Sequence, residues 1–228
     1  MAVSTYGSGR IAAVGDGNLF SYDDADTDGT SDLYDRDNEK VAVDIPEWLC
    51  GLTTGQMDVN LGAGWTMISP PLIPNNTDIN DVIKAANLGS GNPANIVLVY
   101  SYNTSSGQWM WWNGSPSSTL TTIVDGRGYW VNATAADTLT IHGSEAGHPG
   151  PDYPVLTGWD QIGFTSATAM APETYLATVL ADCGLLYQWT GSAWNWWMNG
   201  NPSSSLTNME PGNGFWLNMS ADGTITPP

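Results

Sequence analysis

The chain has 228 residues and a formal net charge of −18, from 5 Lys+Arg against 23 Asp+Glu, although only 12% of its residues are charged. That length can bury a core without metal or disulfide staples, and the scarcity of basic residues argues against nucleic acid and anionic membrane surfaces as partners. No apolar run approaches the roughly 20 residues of a membrane span, and the opening MAVSTYGSGR lacks the apolar stretch of a secretory signal, so an exported form would be a mature chain or a fragment.

Residues 1–57 form an N-terminal segment that carries about half of the acidic residues. GRIAAVGDGNLF reads as a strand and turn, and NEKVAVDIPEWLCG as a helix or strand leading onward. Between them lies DADTDGTSDLYD. With Asp24 as position 1, Asp26, Asp28, Asp32 and Asp35 fall at positions 3, 5, 9 and 12, Gly29 at 6, and the Thr30 carbonyl at 7. This is the oxygen spacing that wraps a hard cation. The loop resembles EF-hand-like and dockerin-like sites, which implies calcium. It departs from them at position 8, where Ser31 replaces an aliphatic residue, and at position 12, where Asp35 replaces a glutamate. The flanking segments faintly resemble the last strand and helix of a glutamine-amidotransferase-like α/β domain, so this segment is expected to be α/β.

From residue 58 the pattern changes to short alternating runs bounded by glycine. Gly64-Trp65 opens a strand; TDINDVIKAANLG reads as a short helix with Thr77 or Asp78 as N-cap and Ile79, Val82 and Ile83 on its apolar face. VLVYSY, the tryptophan-rich QWMWW, GYWVN and TLTI follow as strands. His142 to Pro154, rich in glycine and proline, reads as a linker. The same series then returns: Gly158-Trp159, the helix-like PETYLATVLADCG with Pro172 in its first turn, LLYQW, AWNWW, GFWLN and TIT.

The agreement is ordered along the chain, and such internal repetition decides the architecture. Trp109, Trp111 and Trp112 correspond to Trp194, Trp196 and Trp197; Gly126 and Gly128 to Gly212 and Gly214; Tyr129-Trp130 to Phe215-Trp216; Asn132 to Asn218. The expected fold is mainly β: two tandem antiparallel sandwich-like or barrel-like modules, residues 58–145 and 146–228, each with one short helix. The GW…GYW pattern resembles an aromatic-rich β repeat of archaeal and bacterial secreted and cell-surface proteins, including surface-layer and sheath-like ones. Thr66 and Asp160 stand where that repeat commonly has Asn. The resemblance implies an extracellular address and a structural role.

Catalytic signals are weak. The two histidines, His142 and His148, lie in or beside the linker with neither an HExxH spacing nor a GxSxG elbow. Asp125 falls opposite Pro211, and Glu210 opposite Val124, so the duplication keeps no acid in one place. Cys50 and Cys183 are either a long-range disulfide or two separate thiols. Asn75, Asn103, Asn113, Asn132 and Asn218 each begin an N-x-S/T sequon, a candidate glycosylation site.

Strand alternation places Trp109 and Trp111 on one face and Trp112 on the other, and likewise Trp194 and Trp196 against Trp197. One aromatic face therefore needs a cover outside its own module. The candidates are the other copy across a pseudo-twofold axis, a neighbouring subunit, or a sugar stacked on indole. Trp65, Trp159, Trp130 and Trp216 are expected in the core. The resulting expectation is a non-catalytic, calcium-stiffened envelope protein that self-assembles with copies of itself or other envelope proteins into a surface layer or sheath. Its rival is a carbohydrate-binding or adhesive module that uses Trp111, Trp112, Trp196 and Trp197 as platforms.

Overall fold

The computed structural model describes residues 2–6, 9–13, 54–84, 95–146 and 150–228. The chain divides into two compact units, Met1–Thr54 and Gly55–Pro228. In the first, β1 (Ala2–Tyr6) and β2 (Gly9–Ala13) form an antiparallel pair with Ala2 opposite Ala13. The second unit is mainly β and contains both copies of the repeat.

The first copy runs β3 (Thr54–Leu61), β4 (Gly64–Ile68), β5 (Ile73–Pro74), α1 (Ile79–Lys84), β6 (Ile96–Asn103), β7 (Gln108–Trp112), β8 (Tyr129–Ala133) and β9 (Asp137–Ser144). The second runs β10 (Tyr153–Val155), β11 (Gly158–Gly163), α2 (Pro172–Tyr175), β12 (Cys183–Trp189), β13 (Trp194–Trp197), β14 (Gly214–Met219) and β15 (Gly223–Ile225). Strand β9 runs to Ser144 and β10 begins at Tyr153, so the connection between copies is shorter than its glycine and proline content suggests.

Each copy builds a four-stranded antiparallel sheet in the same order, β4-β8-β6-β7 and β11-β14-β12-β13. A smaller sheet accompanies each, β3-β9-β5 in one and β10-β15 in the other. The capping logic of the sequence is visible at α1, where Asp78 Oδ1 accepts the Asn80 N–H at 2.8 Å. Ile79, Val82 and Ile83 then turn inward together, as positions three and four apart on a helix must. At α2 Pro172 fills the first turn, where its missing N–H is no loss.

Two separate hydrophobic clusters result, one per copy. The first gathers Val99, Trp112, Tyr129, Val131, Leu139 and Ile141 around the helix residues. The second gathers Phe164, Tyr175, Leu186, Trp197, Phe215 and Leu217. Each large apolar side chain so buried contributes about 1.5–3 kcal/mol. Every strand of a four-stranded sheet thus spends one face on its own copy's core, leaving the other face outside it.

The copies dock through their motif glycines. Gly126 and Gly212 adopt φ of 71° and 85°, turning the chain ahead of each aromatic strand. Their carbonyls accept the N–H groups of Gly163 at 3.0 Å and Ser69 at 2.9 Å, each from the opposite copy. Gly128 and Gly214 serve a second purpose, close approach. A Cβ on Gly214 would lie 2.5 Å from the Ile68 carbonyl oxygen, and one on Gly128 would lie 2.9 Å from that of Ile162. Single bridges, Ile68 to Asn213 and Arg127 to Ile162, complete a pseudo-twofold contact.

At one edge of each four-stranded sheet, β7 and β13, part of the outward backbone is already occupied. The Thr119 and Leu120 N–H groups both donate to Trp111 O at 2.9 Å, and Trp111 N–H donates to Thr119 Oγ1 at 3.1 Å. In the second copy Ser205 and Leu206 do the same for Trp196. Serine-rich loops thereby occupy backbone groups that an edge strand would otherwise offer to another chain.

Candidate functional site

Alternation along the strands delivers aromatic rings to the face that the cores do not use. In the first copy these are Trp65 on β4, Tyr100 and Tyr102 on β6, Trp109 on β7 and Trp130 on β8; Tyr102 lies directly opposite Trp109. In the second they are Trp159 on β11, Tyr187 and Trp189 on β12, Trp194 on β13 and Trp216 on β14. The two faces meet across the pseudo-twofold. Trp216 rings contact Tyr102 and Trp109 at centroid distances of 5.7 and 5.8 Å, and Trp130 contacts Trp189 and Trp194 at 6.3 and 5.8 Å.

Within each copy the ring geometry repeats closely. Trp65–Tyr100 at 5.9 Å is matched by Trp159–Tyr187 at 5.8 Å, and Tyr102–Trp109 at 5.3 Å by Trp189–Trp194 at 5.2 Å. Most of these pairs are tilted or edge-to-face, arrangements worth about 0.5–1.5 kcal/mol beyond the area they bury. The rings are therefore held in fixed positions by their neighbours.

They do not close over one another. Trp65, Trp109, Trp159 and Trp194 remain 39%, 48%, 43% and 44% exposed. Two open grooves result, of about 630 and 640 Å³. Tyr102, Trp109, Trp159, Tyr187, Trp194 and Trp216 line the first. Trp65, Tyr100, Trp109, Trp130, Trp189 and Trp194 line the second, so the two grooves are pseudo-symmetric images that share Trp109 and Trp194 as a common wall. No charged side chain lines either groove among the described residues.

No known family, curated protein or solved structure matches this chain. The site must be read from its own geometry.

That geometry corrects several expectations from sequence. Trp65 and Trp159 are exposed groove walls and not core, and Trp130 and Trp216 are half-buried rings in the contact between copies. A Gly-Trp pair opening a strand fixes which residues share a face but not which face the helix covers. Trp112 and Trp197 are 5% and 7% exposed and belong to the two cores, so they cannot serve as stacking platforms. Trp112 Nε1 is committed to Asn80 Oδ1 at 3.1 Å. Trp111 and Trp196 are half-buried. Tyr100, Tyr102, Tyr187 and Trp189 read from sequence only as strand residues, although their spacing of two places each pair on one face.

The remaining candidates are placed as follows. Asp24, Asp26, Asp28, Thr30, Asp32, Asp35, Cys50 and His148 lie outside the described residues. Cys183 is a free buried thiol in the second core, and burial pushes its pKa up to about 11. His142 is exposed on β9. Among the described residues no three His, Cys, Asp or Glu side chains gather as metal ligands. Asn75 and Asn113 are exposed, while Asn103, Asn132 and Asn218 are half-buried. Asn132 stands opposite Trp65, and Asn218 opposite Trp159, at the outer ends of the aromatic faces.

Beside the first groove lies a smaller cavity of about 290 Å³ with a different character, walled by polar groups including Thr104, Asp125, Arg127, Tyr153, Asp160 and Gln161. Tyr153 donates its hydroxyl to Asp125 Oδ2 at 2.6 Å. Burial, with that carboxylate beside it, holds the Tyr153 hydroxyl protonated well above the ordinary tyrosine range. Asp160 Oδ1 accepts Thr104 Oγ1–H at 2.5 Å and its own neighbour's N–H, from Gln161, at 2.9 Å. Gln161 is 3% exposed and its Oε1 accepts the Tyr102 N–H at 2.8 Å.

Proposed function

We propose that this chain is a non-catalytic recognition module of the cell exterior that grips a neutral carbohydrate on its paired aromatic grooves. The observation that carries the reading is the pair of pseudo-symmetric grooves, each walled by six Trp and Tyr rings, with four indoles substantially exposed across the two. A soluble chain gains nothing in stability from leaving so much indole in water, and large exposed apolar patches mark binding sites. Sugar rings present flat C–H faces that stack on indole while their hydroxyls stay solvated at an open groove. The uncharged walls suit a neutral ligand, and the net charge of −18 repels polyanionic glycans. Rings locked by their neighbours require little ordering on binding, which conserves affinity. The resemblance to secreted and cell-surface repeats supports the extracellular setting.

Self-assembly into a surface layer or sheath is the second reading, since exposed tryptophans are also typical anchors between proteins. The capped outer edges of β7 and β13 weigh against its sheet-continuation form, and leave the aromatic face as its means.

The test is a tryptophan-fluorescence titration with cellohexaose, chitohexaose and mannohexaose, run beside light scattering over a range of protein and calcium concentrations. The expected result is a saturable shift with at least one oligosaccharide, weakened tenfold or more in Trp109→Ala and Trp194→Ala, from a monomeric protein. No shift with any of the three, together with calcium-dependent polymers, would replace this reading with assembly.

A further inference from the structure

The aromatic grooves are duplicated, but the polar cavity is not. Position by position, the first copy has Thr66 and Met67 where the second has Asp160 and Gln161, and the second has Pro211 where the first has Asp125. The exchange matters most at Met67 and Gln161. Both are enclosed, Met67 at 0% and Gln161 at 3% exposure, on equivalent strands two residues beyond the groove tryptophans Trp65 and Trp159. An apolar side chain fills the site in one copy; in the other a primary amide replaces it.

Burying an amide where methionine fits is unfavourable unless the amide is fully hydrogen-bonded. Gln161 is only half satisfied. Its Oε1 holds the Tyr102 N–H, which fixes the orientation of the amide, and its Nε2 has no partner among the described residues. The second groove has no such amide: there Trp189, the counterpart of Tyr102, is fastened by its own indole N–H to Trp65 O at 3.0 Å.

On the reading of the grooves as a carbohydrate site, we propose that the cavity walled by Gln161, Asp125 and Asp160 is a hydroxyl-reading subsite that serves the first groove only, so that the two grooves bind saccharide with unequal strength. Gln161 and Tyr102 tie the cavity to that groove, since the Tyr102 ring lines it while its N–H is held by the amide. The chemistry selects a polyhydroxylated ligand. A hydroxyl both accepts and donates, so it satisfies the spare Nε2–H and a carboxylate of Asp125 or Asp160 together. A cation would meet the Arg127 side chain and the amide N–H beside the carboxylates, and an anion would meet two carboxylates against one guanidinium.

The experiment is isothermal titration of the full chain with cellotriose, chitotriose and mannotriose, each short enough to occupy a single groove. The expected wild-type result is two binding steps that differ tenfold or more in affinity. In Gln161→Met, which copies the residue tolerated at the twin position, the steps merge into one class of two equal sites at the weaker affinity, with a melting temperature that falls by no more than the loss of one acceptor for the Tyr102 N–H requires. Asp125→Ala provides the same readout if Gln161→Met does not fold. Two equal sites in the wild type, or two unequal steps that survive both substitutions, overturn the subsite while leaving the aromatic grooves as the binding site. Absence of binding by all three sugars overturns both readings.

Discussion

Substitution of Gly214 by alanine tests whether the pseudo-twofold contact holds the second unit together. The Cβ would lie 2.5 Å from the Ile68 carbonyl oxygen, 3.0 Å from its carbonyl carbon and 3.2 Å from Met67 Cγ. Real Cβ contacts essentially never fall below 3.0 Å, so β4 and β14 must part by about 0.5 Å or more, and the obstacle is backbone that has no rotamer to change. Overpacking of this kind costs about 1–3 kcal/mol. The same movement loosens Ser69 N–H to Gly212 O at 2.9 Å and Ser69 Oγ–H to Asn213 O at 2.7 Å, each worth about 1 kcal/mol net. A total of about 3 kcal/mol corresponds to a fall in melting temperature of about 6–12 °C for a domain of this size. Calorimetry reads the midpoint, and tryptophan fluorescence reads the ring contacts between copies. Gly62→Ala is the control, because its Cβ would have only an ordinary 3.6 Å contact. A Gly214→Ala midpoint within 2 °C of that control would refute the close-approach argument.

Three further outcomes are expected. Burial raises Tyr129 from its usual 10 to about 12 and Cys183 from 9 to about 11, so their contributions to stability are complete below the lower values and lost as pH rises through the higher ones. Melting temperature should fall between pH 9 and 12, with Tyr129 accounting for about 2–3 kcal/mol; Tyr129→Phe should flatten the upper part of the curve, and an unchanged slope would contradict the assignment. Trp112→Ala should cost about 3–5 kcal/mol in chemical denaturation as a core truncation, whereas Trp109→Ala, which removes a half-exposed ring, should cost less than half as much; equal losses would mean that the division into core and groove is wrong. Chelation by EDTA should lower a thermal transition that calcium restores, as the Asp24 to Asp35 spacing implies, and identical melting curves with and without calcium would remove that loop as a cation site.

The duplication, the strand series and a helix cap at Thr77 or Asp78 were legible in the sequence, because periodicity and capping chemistry are local, and the structure selects Asp78. The aromatic face was half legible. A spacing of two shows that Trp109 parts company with Trp112, yet it does not say which of them meets the helix, and that choice is made by α1 and the small sheet packing on one side. The same limit misplaced Trp65 and Trp159. Gly128 and Gly214 read naturally as turn residues, since nothing local reveals that a carbonyl from the other copy will lie against them. Gln161 gave no signal in isolation. Only its alignment with Met67 shows a polar residue in an apolar place, and that comparison gains meaning once both positions are known to be buried.

Because both copies lie on one polypeptide, the contact that forms the grooves is intramolecular. A dimer of separate repeats would fall apart on dilution, and its binding surface would vanish with it; tethering fixes the effective concentration of one half around the other whatever the number of molecules in solution. A surface assembled in this way keeps its shape however scarce the protein is.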